Sequence, residues 1–109
     1  MKYFVKGEFV EPGPTFSNQQ FVHILENAIL PSFENIMKLE KEKKILASGL
    51  ITGARAGVFI IDVESNNELT QLLYTLPFWG ILKWEVTPLD NFEDRIQLDR
   101  KLLQTLKKS

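Results

Sequence analysis

The stretch Leu76-Pro77-Phe78-Trp79-Gly80-Ile81-Leu82-Lys83-Trp84-Glu85-Val86-Thr87-Pro88-Leu89 decides how this chain is read. Leu69, Leu72, Leu73 and Leu76 ahead of it recur at helical spacing and predict the buried stripe of a short helix. Pro77 follows the end of that helix, because proline lacks the amide a further turn would need. Phe78, Trp79 and Gly80 turn the chain. Strict alternation then places Leu82, Trp84 and Val86 on one face and Lys83, Glu85 and Thr87 on the other, the pattern of a strand over residues 81–87. Both tryptophans of the protein lie on or beside that strand.

Upstream, Ser65 with Glu68 reads as a capping box that starts the short helix. Val58 to Val63 is a near-continuous apolar run, as a central strand covered on both sides requires. Residues 45–52 form a second strand, joined to the first through the turn Gly53-Ala54-Arg55-Ala56-Gly57 as a hairpin. Ser17 with Gln20 opens a longer helix that buries Phe21, Leu25, Ala28, Ile36 and Leu39. Pro31 interrupts it and predicts a kink or two abutting helices. Glu40-Lys41-Glu42-Lys43-Lys44 is a solvated charged turn. Residues 2–10 alternate as another strand, with Tyr3, Val5, Gly7 and Phe9 facing the core. Glu11-Pro12-Gly13-Pro14 is a loop. Downstream, Asp90 with Glu93 signals a last helix over residues 91–108, whose Phe92, Ile96, Leu102, Leu103 and Leu106 need a surface to cover them.

The order β-α-β-β-α-β plus a C-terminal helix is that of the α+β, ferredoxin-like split βαβ arrangement. It predicts one domain over residues 1–109, with a core over 1–89 and a four-stranded antiparallel sheet. First and last strands should be neighbours. Both core helices should cover one sheet face and leave Phe4, Lys6, Glu8, Lys83 and Glu85 on the other. Lys–Glu pairs across adjacent strands contribute roughly 0.2–1 kcal/mol each. The second and third strands add apolar residues to that open face, which makes it a natural seat for a second copy of the chain.

The totals narrow the function. Thirteen basic and fourteen acidic residues give a net charge of -1, without the concentrated basic face that nucleic-acid binding requires. There is no cysteine, which excludes disulfides, thiol catalysis and thiolate metal sites. No long apolar run or signal peptide is visible, so no membrane partner is expected and a cytoplasmic location is the default. Phosphate-binding glycine loops, nucleophile elbows and zinc motifs are absent from the sequence.

Several polar residues are candidates for a site. Arg55, set among small neighbours in a hairpin turn, could grip a carboxylate in a bidentate manner, or be a surface arginine. Glu26 and Glu34 flank Pro31. A carboxylate there could remove a proton beside a carbonyl, or simply be solvated on a helix face. Lys6, Glu8, Lys83 and Glu85 could orient an anionic substrate or form cross-strand pairs at a subunit contact. Trp79, Trp84, Phe78 and Tyr74 could line an apolar ligand pocket; Trp84 equally suits the core, and Trp79 a pocket rim or a subunit contact. His23 is the lone histidine, reads as a helix surface residue and cannot build a usual metal site by itself.

Phe59-Ile60-Ile61-Asp62-Val63-Glu64-Ser65, Glu68-Leu69, Leu72, Leu76-Pro77-Phe78 and Glu85-Val86, with Val5-Lys6 in the first strand, resemble the muconolactone isomerase group of the dimeric α/β-barrel superfamily. The resemblance covers residues 1–9 and 45–89. It implies two ferredoxin-like units packed sheet to sheet as a homodimer or higher homo-oligomer. It also implies a site in the cleft between sheet and helices, and proton transfer on a small lactone without metal or organic cofactor. Glu34 lies nearer than Glu26 to the region that matches the group's acidic residue and is the candidate catalytic base, while the residues themselves, not the resemblance, make Arg55, Lys6, Glu8, Glu85 and Trp79 the candidates for substrate binding. The pattern departs at the hairpin, where the group has histidine after the glycine and this chain has Ala54 and Arg55 after Gly53. The readings left open are an isomerase-like enzyme, a non-catalytic oligomeric ligand-binding or assembly protein, and a cofactor-free oxygenase of the same superfamily.

Overall fold

A computed structural model of the chain describes residues 1–10 and 17–109. The predicted loop at Glu11-Pro12-Gly13-Pro14 lies outside the described residues. The elements run β1 (Lys2–Phe9), α1 (Asn18–Ile24), a π-helical turn (Leu25–Ile29), α2 (Leu30–Lys41), β2 (Ile45–Leu50), β3 (Ala56–Asp62), α3 (Asn66–Tyr74), a 3-10 turn (Trp79–Ile81), β4 (Leu82–Leu89) and α4 (Phe92–Lys107). The sheet is antiparallel with order β2-β3-β1-β4, so the first and last strands are neighbours as the split βαβ pattern requires. The apolar run of β3 lies inside the sheet, between β2 and β1.

One residue parity decides which side of the sheet is buried. Val5 stands opposite Phe59 on one side and Val86 on the other, and Gly7 opposite Gly57 and Trp84. That face takes Tyr3, Val5, Phe59 and Ile61 into a core with Ile36 and Leu39 of α2 and Leu69, Leu72 and Leu73 of α3. Gly7 is required by close approach. A Cβ built there would lie 2.8 Å from Cζ3 of Trp84, which crosses over it. Trp84 in turn packs against Phe59 and Phe78, with ring centroids at 6.5 and 6.0 Å.

Ser17 caps α1 with both bonds of a capping box: its hydroxyl accepts from the amide of Gln20, and its own amide donates to the Gln20 side chain. Around Pro31 the chain runs as two abutting helices, α1 and α2, joined without a break. A π-helical turn precedes the proline, in which the Leu30 amide reaches back five residues to the Leu25 carbonyl, and Pro31 falls in the first turn of α2. A missing donor is tolerated at that position.

Two caps differ from their expected form. Ser65 accepts from the Glu68 amide, but the Glu68 carboxylate returns to the amide of Glu64 rather than Ser65. At α4 the cap is Asn91, not Asp90. Asn91 Oδ1 accepts from the Asp94 amide at 2.7 Å, while Asp90 is drawn aside by Arg95 Nη2 at 2.8 Å and holds that guanidinium's pKa above its ordinary value.

No residue of α4 is buried; Phe92 is 88% exposed. The 68 Å long axis against 32 and 24 Å reflects an elongated molecule. Among the described residues the apolar stripe expected to find a surface has none that buries it.

Candidate functional site

A cavity of about 460 Å3 lies between the buried sheet face and the helices, closed at one end by the β2–β3 hairpin. Its sheet wall comes from Gly7, Phe9, Phe59 and Leu82. Phe21, Ile29, Phe33 and Met37 supply the helical wall, because the π-helical turn carries one apolar stripe from α1 into α2. Phe78 of the turn after α3 closes the inner end, where Phe33 meets it edge-on at 6.3 Å. Gly7 also matters here, since a side chain at that position would push Trp84 and Leu82 into the space.

Among the described lining residues only Ser48 and Arg55 have polar side chains. Arg55 sits at the hairpin, past Gly53, whose φ of +78° belongs to the left-handed region that glycine adopts without strain. The Arg55 carbonyl accepts the amide of Phe9 at 2.8 Å, which fixes the hairpin tip to the end of β1. Its guanidinium carbon lies 5.8 Å from the ring centre of Phe9 and 5.7 Å from that of Phe21. Two aromatic faces thus hold a cation at the cavity wall, each such contact worth about 0.5–1 kcal/mol when solvent-exposed. Ser48 projects from the buried side of β2, opposite Phe59, and its hydroxyl donates to the carboxylate of Glu40 at the end of α2.

Of the sequence candidates, the fold brings Arg55 and Phe78 to this cavity. Lys6 stands opposite Glu85 and Glu8 opposite Lys83, so the expected cross-strand register is present, but on the far face of the sheet. Among the described residues no ion pair closes either couple. Glu34 is exposed on α2, about 100° round the helix from Phe33. Trp79 meets Tyr74 edge-on at 4.5 Å, and its carbonyl accepts the indole N–H of Trp84 at 3.0 Å, so it secures the turn without lining the cavity. His23 is exposed, its ring nitrogen 3.1 Å from the Asn27 amide. Among the described residues no cluster of histidine and acid side chains could hold a metal. The sequence reading passes over Phe9, Phe33 and Ser48 as site residues. Their signal is the ordinary core alternation, which marks a side chain as inward without saying whether it meets another side chain or a space.

A family model described as muconolactone delta-isomerase matches residues 22–95. No curated protein matches the chain. Among solved structures, the chain is similar to the crystal structure of muconolactone isomerase, with a TM-score of 0.69 and 22% sequence identity over 84% of this chain and 90% of that one. The family match ends within α4, four residues into that helix.

Proposed function

The chain belongs to the muconolactone delta-isomerase family, and from that membership we propose that it takes a small, largely apolar carboxylate into the cavity between sheet and helices, with Arg55 as the group that holds the anion. The observation that carries the reading is the pairing of an apolar space of about 460 Å3 with one cationic side chain among its described lining residues. A concave, mostly apolar pocket with a few convergent polar groups is the usual form of a small-molecule site. The aromatic faces of Phe9 and Phe21 reduce the freedom of the Arg55 side chain and so lower the entropy lost on gripping a carboxylate.

Cofactor-free proton transfer on a lactone is the second reading, and the family match favours it. Such a reaction needs a base. Glu34 remains the candidate from the sequence, and from its outward position on α2 it would serve a cavity other than that of its own chain. The corresponding partner is a second copy. The sheet face away from the helices exposes Phe4 at 38%, beside Val58 and Ile60, and α4 offers its uncovered stripe. A homodimer joined through these surfaces would cover both.

The test is a titration with 3-phenylpropanoate, followed by a proton-exchange assay in heavy water over unsaturated lactones including muconolactone, with Glu34→Gln alongside. Saturable binding supports the ligand reading. Exchange that vanishes in Glu34→Gln establishes the isomerase reading, and binding without exchange on any lactone leaves a binding protein.

A further inference from the structure

We infer that Ser48 and Glu40 form a second recognition point in the cavity, one that selects ligands carrying a neutral hydrogen-bond donor, a hydroxyl group, at the end away from their carboxylate. The inference rests on the proposed binding of an apolar carboxylate at Arg55 and adds the chemistry of the opposite end.

Glu40 is not itself a lining residue, but two independent features set it beside residues that are. The first is helical period: Glu40 lies seven residues after Phe33, four after Ile36 and three after Met37, all lining residues, so it continues their side of α2. The second is the hydrogen bond between Ser48, itself a lining residue, and the Glu40 carboxylate. Glu40 is thus placed at the cavity edge by α2 and held there by β2. Glu34, on the same helix, is spaced three residues from Met37 but has no such bond to a lining residue.

Counting protons gives the selectivity. A serine hydroxyl has one proton and two lone pairs. In this structure the proton is given to Glu40, which as a carboxylate only accepts. The Ser48 oxygen therefore meets a ligand as an acceptor, with the Glu40 oxygens beside it as further acceptors. A ligand hydroxyl satisfies them. A ligand carbonyl or ether at the same place would face oxygen lone pairs and would have to displace the Glu40 bond to find a donor.

Spacing fixes the size of the ligand. Ser48 is level with Phe59 in the sheet, and Arg55 lies four residues before Phe59. At about 3.3 Å per residue that places the two positions roughly 13 Å apart along the strands. With both side chains turned to the same space, the geometry suits a hydroxyl and a carboxylate at opposite ends of one aromatic ring and a short chain.

The experiment is isothermal titration calorimetry of the full chain with 3-phenylpropanoate, 3-(4-hydroxyphenyl)propanoate and 3-(4-acetylphenyl)propanoate, repeated on Ser48→Ala and Glu40→Leu. Both substituted residues are exposed, so neither variant removes core packing. In the native chain the hydroxyl compound should bind about fivefold more tightly than the parent, the effect of one hydrogen bond, and the acetyl compound no better than the parent. Ser48→Ala should remove the hydroxyl advantage while leaving the parent compound's affinity in place. Glu40→Leu frees the Ser48 proton and should turn the preference toward the acetyl compound. Binding of the parent with no hydroxyl advantage, or an advantage unchanged in both variants, overturns the inference and leaves the Arg55 reading standing. Failure of all three compounds to bind the native chain overturns both.

Discussion

The hydroxyl of Ser32, fully buried in α2, accepts the backbone N–H of Phe78 at 2.9 Å. The bond joins the first turn of α2, which holds Pro31, to the turn that follows Pro77. It also explains why a serine occupies a site with no exposure. The Phe78 amide is left over by the chain reversal between α3 and β4, and the oxygen of Ser32 satisfies it inside the core. Phe78 is thereby held as the inner wall of the cavity.

Ser32→Ala removes that acceptor and leaves a buried donor unpaired. The expected loss of stability is about 1–3 kcal/mol, measured as a shift of the urea unfolding midpoint with an unchanged slope. Ser32→Thr, which keeps the oxygen, should lose less if the added methyl is accommodated. A midpoint in Ser32→Ala equal to that of the native chain would show that the Phe78 amide finds another partner.

Gly7→Ala places a methyl group against the ring of Trp84, at 2.8 Å before any adjustment. The ring is constrained by Phe59, by Phe78 and by its bond to the Trp79 carbonyl, so the strain spreads into the turn. Destabilisation of about 1–3 kcal/mol is expected, together with a change in tryptophan fluorescence.

Arg55→Ala should weaken 3-phenylpropanoate binding about tenfold or more while the protein stays folded. Loss of the contacts to Phe9 and Phe21 adds a destabilisation of about 1–2 kcal/mol, visible in the melting temperature. Arg55→Lys separates charge from shape: it keeps the cation but loses the planar fork, and should recover only part of the affinity. Equal affinity in the native chain and in Arg55→Ala would remove Arg55 from the site.

The helix α4 has no buried residue, so substitutions on its stripe test assembly without disturbing the core. Ile96→Glu with Leu103→Glu should leave the unfolding of the isolated chain within about 0.5 kcal/mol of the native value. In light scattering at micromolar concentration the native chain should have at least twice the mass of one chain, and the double variant a lower mass. A native chain that is monomeric at that concentration would remove the barrel-type assembly.

Strand alternation, helical stripes and the two prolines were enough to place nearly every element, because each is a local pattern with a local physical cause. Tyr3, Val5 and Gly7 had to face inward once Lys6 and Glu8 faced outward, and Leu69, Leu72 and Leu73 had to share one side of α3. The order of these elements then limited the sheet to one topology, and the resemblance at Phe59–Ser65 and Leu76–Phe78 pointed to the family. Local patterns could not decide how Pro31 would be accommodated, since a kink and a π-helical turn satisfy the same missing amide and differ only in what packs on either side. Nor could they separate a residue that fills the core from one that lines a space. Phe33 and Ile36 carry the same signal, and only the distance between α2 and the sheet shows that the cavity lies against them. The charged residues show the same limit. Lys6, Glu8 and Glu85 were placed correctly on their strands, but which face of the sheet holds the cavity is set by where the helices return across it. Ser48 and Glu40 come from different elements, and nothing in the sequence between them indicates that one donates to the other until α2 and β2 are packed side by side.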